Sequence, residues 1–205
     1  MTATRLDLVR HGNVENPQRK IYGRLPGWTL SAEGRRQAAE VAEHLRGRPI
    51  VHIYSSPLER ATETAAAIAA ACGAPVSIDH DLTESALGAH WEGLSRAEVR
   101  TARHAEWDAY LHRPHEADFG DETFASLGER MARALHAIAA RHPGQEAVVV
   151  SHGDPIKAAV CHLTGTPIAT VHALRVHTGS LVAIEMGSGT ARIVERWEPA
   201  RMVKR

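Results

Sequence analysis

The 205-residue chain has no surplus of charge: 24 Lys and Arg balance 24 Asp and Glu, so no global field draws it to nucleic acid or to a membrane surface. Any cationic site has to be local. Cysteine is scarce, with only Cys72 and Cys161, each late in a predicted helix and expected as an unpaired buried thiol. No apolar run approaches the length that spans a membrane, and the first residues lack the basic, apolar, small-residue order of a secretory leader. A cytoplasmic protein is the expectation. Repeats and low-complexity tracts are missing. So are zinc-binding spacings, with neither His-Glu-x-x-His nor paired Cys-x-x-Cys despite 14 histidines. No metal and no cofactor is expected.

What remains is an ordinary globular composition, 43% apolar and 23% charged, and a length that suits one domain over residues 1–205. Period-two or continuous apolar runs predict strands over 5–10, 50–54, 75–79, 146–151, 170–177, 180–186 and 190–197. Helical spacing predicts helices over 31–46, 57–72, 95–112, 122–141 and 155–164. The second is the clearest, with Leu58, Ala61, Ala65, Ile68 and Cys72 on one face and Pro57 suited to a first helical position. Strands alternating with helices imply an α/β fold: a three-layer sandwich, its central sheet mostly parallel, with helices on both faces. The last two strands, split by Gly187-Ser188-Gly189, read as an antiparallel hairpin at one edge.

The most informative stretch is Leu8-Val9-Arg10-His11-Gly12. The strand ends there, and in open α/β sheets ligands bind beyond the carboxyl ends of strands. An arginine holds a phosphate with a planar fork of donors, and a neutral histidine beside it can attack phosphorus. Residues 54–65 (Tyr-Ser-Ser-Pro-Leu-Glu-Arg-Ala-Thr-Glu-Thr-Ala), 82–93 (Leu-Thr-Glu-Ser-Ala-Leu-Gly-Ala-His-Trp-Glu-Gly) and 148–153 (Val-Val-Val-Ser-His-Gly) fit around it. Together and in this order, over roughly residues 5–185, the four segments resemble the histidine phosphatase superfamily, its phosphoglycerate-mutase-like branch.

The resemblance implies a metal-independent phosphomonoesterase acting on a small-molecule phosphate ester through a phosphohistidine at His11. Arg10 and Arg60 would clamp the phosphate. Arg60 also falls on the first turns of a helix preceded by Ser55 and Ser56, which could cap it, and a helix N-terminus favours an anion. His152 follows an apolar strand and precedes Gly153, Asp154 and Pro155, again a strand, a tight turn and a helix start. It would hydrogen-bond the transferring phosphoryl group, with the Gly153 amide as a further donor. Glu84 matches the family's proton donor, ahead of Glu92, whose Trp-Glu-Gly context looks structural, and of Asp154, which is one residue out of register for another branch.

Where the family commonly has an asparagine six residues after the nucleophile, this chain has Pro17, with Asn16 one position early. Asn16 and Arg24 are therefore expected phosphate or substrate contacts of the weaker kind. The segment 95–121 would be a lid or pocket wall. The nearest alternative is a cofactor-dependent phosphoglycerate mutase, but Ser85 stands where such mutases continue a Glu-Arg pair, and residues 94–121 hold no Arg-Arg pair. A silent binder of phosphorylated ligands is a third reading. Edge strands could pair two copies as a homodimer.

Overall fold

The computed structural model describes residues 3–187 and 191–200. Six strands form one sheet in the order β3-β2-β4-β1-β5-β6: β1 Thr4–Arg10, β2 Ile50–Ser55, β3 Val76–Ile78, β4 Glu146–Ser151, β5 Leu181–Met186 and β6 Ala191–Trp197. The first four run parallel, while β5 is antiparallel to β1 and β6 to β5. The expected edge hairpin is therefore present. Ser188 and Gly189 of its turn, and Thr190 at the start of its second predicted strand, lie outside the described residues.

Helices cover both faces. On one side α1 (Ala32–Leu45) and α2 (Glu59–Cys72) bury Val41, Leu45, Ala61, Ala65 and Ile68 against Val9, Ile53, Val148 and Val150. On the other, α5 (Phe124–Arg141) and α6 (Gly153–Thr164) pack against Leu6, Leu8, Ala147 and Val149. The alternation of β1 between these two sets is the period-two pattern of a strand buried on both faces. In α5 the residues Leu127, Met131, Leu135 and Ile138 are wholly buried, each contributing about 1.5–3 kcal/mol.

Five expectations need correction. Residues 170–177 are not a strand: Ile168–Ala173 form a 3-10 helix after Pro167, and the operative spacing is three (Ile168, Val171, Leu174) rather than two. The helix expected over 95–112 is two, α3 (Arg96–Ala102) and α4 (His104–His112), interrupted at Arg103, whose backbone leaves the helical region. Pro57 lies outside α2, which begins at Glu59 with Leu58 as its cap and no side-chain capping bond. Helix α6 begins two residues before Pro155, and since the first four N–H groups of a helix have no internal partner, proline is tolerated there. Cys161 is buried but Cys72 is only half-buried; both are free thiols. Among the described residues no helix is long and apolar enough to cross a membrane.

The first strand is tied closely to α1. A Cβ on Gly12 would lie 2.3 Å from the Gly34 carbonyl oxygen, and one on Gly34 would lie 1.9 Å from that of Asn13. Only glycine at both positions lets the turn after β1 rest on the start of α1. Ser31 caps that helix, accepting from the Gly34 N–H at 3.0 Å and donating to the Asn13 side chain at 2.9 Å.

Candidate functional site

Strands β1 and β4 are neighbours, yet the helices that follow them go to opposite faces, α1 to one and α6 to the other. A crevice opens at such a switch point, outside the carboxyl ends of the strands. His11 follows β1 and His152 follows β4, so both arrive at its floor. Their ring centroids are 5.0 Å apart, and the residues are 1% and 0% exposed.

The tautomer of His11 is set by its neighbours. Its Nδ1 lies 2.7 Å from the Gly12 carbonyl oxygen, which can only accept, so Nδ1 carries the proton and the Nε2 lone pair is left free. The Gly12 amide is in turn held by Thr64 Oγ1 at 3.1 Å, and that hydroxyl donates to the Arg60 carbonyl at 2.8 Å. Burial depresses the His11 pKa well below the ordinary histidine range, and the charges of Arg60 and Arg10 push it the same way. The ring is therefore neutral at neutral pH.

Two guanidiniums stand beside it. Arg60, wholly buried, donates Nη2 to the Gly23 carbonyl at 2.6 Å and lies over the Tyr22 ring at 4.8 Å. Arg10 donates Nη1 to the Val176 carbonyl at 2.8 Å and packs on Gly153, where a Cβ would approach its Cζ to 3.2 Å. Three nitrogens of these side chains, Nε of Arg10 and Nε and Nη1 of Arg60, are buried without a hydrogen-bond partner, as is Nδ1 of His152. Orphaned charged donors are costly unless an anion answers them. The arrangement is built for an oxyanion.

His152 Nε2 lies 2.7 Å from Ser56 Oγ, while its Nδ1 lies 3.9 Å from Glu84 Oε2. Burial and the nearby cationic groups depress its pKa well below the ordinary range too. Glu84 sits on the irregular loop after Leu82, its side chain 19% exposed, and burial together with the Asp154 charge raises its pKa. A carboxyl whose pKa is raised beside an oxyanion site is suited to proton donation.

The sequence-predicted residues divide accordingly. Arg10, His11, Arg60, Glu84, His152 and Gly153 come together at the crevice. Arg24 lies at its rim, donating Nε to the Glu84 carbonyl at 2.6 Å rather than standing among the orphaned donors. Asn16 turns its amide to its own loop, bonding both the N–H and the carbonyl of Lys20 at 2.9 and 2.8 Å. Glu92 accepts from the Arg24 amide at 2.6 Å and holds the same loop. Ser56 lies before the N-cap of α2, Leu58; its hydroxyl accepts the Leu58 N–H at 3.4 Å and partners His152 Nε2 at 2.7 Å.

Sequence reasoning missed Thr64 and Tyr22, and placed Tyr110 only within the segment read as a lid or pocket wall. Thr64 was within reach, four residues after Arg60 and so on the same helical face. Tyr110 donates to Asp154 Oδ2 at 2.7 Å and belongs to an aromatic cluster with Trp91, Trp107 and Phe124 that no spacing announced.

One ligand atom from each of His11, Glu84 and His152 falls within 4.8 Å of the others, a grouping that could hold a metal ion. The two guanidiniums beside it raise the cost of a cation and lower that of an anion. The donor set therefore fits a phosphoryl group better than a metal.

A family model described as the histidine phosphatase superfamily (branch 1) matches residues 6–198. An uncharacterized protein of Mycobacterium tuberculosis is 40% identical over 162 residues, covering 79% of each chain. Phosphoserine phosphatase 1 of Hydrogenobacter thermophilus is 33% identical over 184 residues, 89% of this chain and 86% of that one. Among solved structures, a mycobacterial glucosyl-3-phosphoglycerate phosphatase in complex with VO3 superposes with a TM-score of 0.85 at 29% identity, covering 96% of this chain and 99% of that one.

Proposed function

Because the chain belongs to the histidine phosphatase superfamily, branch 1, we propose that it is a metal-independent phosphomonoesterase that cleaves a small-molecule phosphate ester through a phosphohistidine at His11. The observation that carries this reading is the set of orphaned guanidinium and imidazole nitrogens around one neutral imidazole whose Nε2 is free.

Phosphoryl transfer asks a protein for positioning and for positive charge around the equatorial oxygens. Arg10, Arg60, His152 and the Gly153 amide supply the charge and the donors. His11 Nε2 attacks phosphorus as the ester P–O bond breaks. Glu84 gives its proton to the departing oxygen, so the product leaves as an alcohol and Glu84 becomes a carboxylate. Water then attacks the phosphohistidine, Glu84 takes back a proton, and phosphate leaves with His11 neutral again. A metal has no task left in this scheme, since the arginines neutralise the developing charge. The aromatic segment 95–121 forms the wall against which the alcohol portion rests, with Arg24 at the outer rim. The enzyme acts in the cytoplasm, and an edge strand is the natural place for two copies to meet.

The rival reading shares the first half-reaction: a mutase returns the phosphoryl group to a bound intermediate instead of to water. Purified protein offered a panel of phosphorylated metabolites, including phosphoserine and 3-phosphoglycerate, distinguishes them. Release of inorganic phosphate from at least one ester, without interconversion of phosphoglycerates, is the expected result. Efficient interconversion with little phosphate release would overturn it.

A further inference from the structure

Glu84 lies in a stretch, residues 83–88, with no helix or strand of its own. Something else has to hold its carboxyl near His152. Arg130, on α5, reaches into this loop and donates Nη1 to the carbonyls of Asp81 and Thr83, the second at 3.1 Å. The same guanidinium pairs with Glu122 through Nε to Oε1 at 2.8 Å and Nη2 to Oε2 at 3.2 Å. Glu122 Oε2 accepts the Ala86 N–H at 2.8 Å. Arg24 closes the circuit, with Nε on the Glu84 carbonyl at 2.6 Å and Nη2 on Glu122 Oε2 at 3.4 Å. The backbone is thus gripped at residues 81, 83, 84 and 86, on both sides of Glu84, by three charged side chains that bond one another.

We propose that Arg130, Glu122 and Arg24 form a strap whose task is to position the Glu84 carboxyl for proton donation. None of the three is placed on the phosphoryl group. They are positioning residues, and the inference rests on the reading of Glu84 as the proton donor. Arg130 and Glu122 are largely buried, their side chains 14% and 11% exposed, so their pairing is little screened by water. Each loop carbonyl and amide they satisfy would otherwise be a half-buried polar group free to find another conformation. Proton donation is sensitive to such freedom, because the acid has to lie within hydrogen-bond reach of the leaving oxygen. Nucleophilic attack by His11 is not, since the orientation of that ring is fixed through Gly12 and Thr64 instead.

The two steps can be separated by the leaving group. Phenyl phosphate releases a basic phenoxide that needs the proton, whereas 2,4-dinitrophenyl phosphate releases one that leaves unaided. Leaving-group release in the first turnover is to be measured for wild type, Glu84→Gln, Arg130→Lys and the milder Glu122→Gln, with thermal melts to show that each is folded. For both strap variants, phenol release should slow by about 10- to 100-fold while dinitrophenol release stays within about threefold of wild type. Glu84→Gln should show the same split, more steeply. An equal loss on both esters in the strap variants, or no loss on either, would overturn the strap if Glu84→Gln still shows the split. Absence of the split in Glu84→Gln would overturn the proton-donor assignment and the strap with it.

Discussion

Burial acts in opposite senses on His11 and Glu84, and the proposed chemistry needs both. Desolvation disfavours the charged form, which for an imidazole lowers the pKa and for a carboxyl raises it. His11, the nucleophile of the proposed mechanism, therefore stays unprotonated into mildly acidic solution, while Glu84, its proposed acid, holds a proton above the usual carboxylate range. The pH dependence follows with a definite sign. First-turnover cleavage of phenyl phosphate should be lost as pH rises through the elevated Glu84 pKa, and Glu84→Gln should flatten that alkaline limb in a stopped-flow profile. A limb that persists unchanged in the variant would place the proton elsewhere. Residues at strand ends were the legible ones: Arg10, His11 and His152 sit where a strand pattern gives way to glycine, and chemistry at that edge is a general expectation of the fold. Glu84 was legible only through family resemblance, because an irregular loop has no period. Arg130 and Glu122 were not legible at all, since their role depends on a helix meeting a loop some 45 residues away in sequence (Arg130 against Thr83, 47 apart).

The elements were legible where a single period governs their packing. Helix α2 keeps Ala61, Ala65 and Ile68 buried as its spacing predicts, and α5 does the same with its longer stripe. The segment 168–174 was not, because Val171, Ala173 and Leu174 fit no single period cleanly, and the spacing of three through Ile168, Val171 and Leu174 emerges only in the structure. The interruption at Arg103 has no glycine or proline to mark it. At this scale the contact between the turn after β1 and α1 makes the sharpest test. Propensity alone favours Gly34→Ala, by no more than the roughly 1 kcal/mol of a helix interior, because Gly34 lies in the first turn of α1. Packing opposes it, since the added Cβ would fall 1.9 Å from the Asn13 carbonyl oxygen. Overpacking of this kind typically costs 1–3 kcal/mol, occasionally more, and here the clash is with backbone, so packing should win. Urea unfolding should show Gly34→Ala less stable than wild type by about 1 kcal/mol or more. A stabilised variant would mean the contact is looser than described.

Across the whole molecule, the two ends of the sheet carry different loads. Opposite the crevice, Asp7 is buried in β1 beside Glu146 and Glu195, facing Arg5 at 3.0 Å and Arg48 at 3.5 Å. Three carboxylates meet two guanidiniums. Burial, with Glu146 alongside, pushes the Asp7 pKa from 3.8 up to about 7 despite both arginines. A carboxyl that holds its proton more tightly when folded contributes most below its unfolded pKa. That contribution declines as pH rises from about 4 to about 7 and then stays constant, by an amount on the order of 4 kcal/mol. Asp7→Asn should thus raise Tm relative to wild type more at pH 8 than at pH 5, by roughly 2–4 °C for each kcal/mol relieved; an equal shift at both pH values would exclude the linkage. At the crevice end, charge is tolerated in the opposite sense, with cationic donors held ready for an anion. The most direct test of that claim is to trap the intermediate: enzyme mixed with a phosphate ester, quenched in alkali and mapped by mass spectrometry. One phosphoryl group on the peptide containing His11, absent from His11→Ala along with turnover, is the result predicted. A phosphoryl group on another residue, or undiminished turnover in His11→Ala, would contradict it.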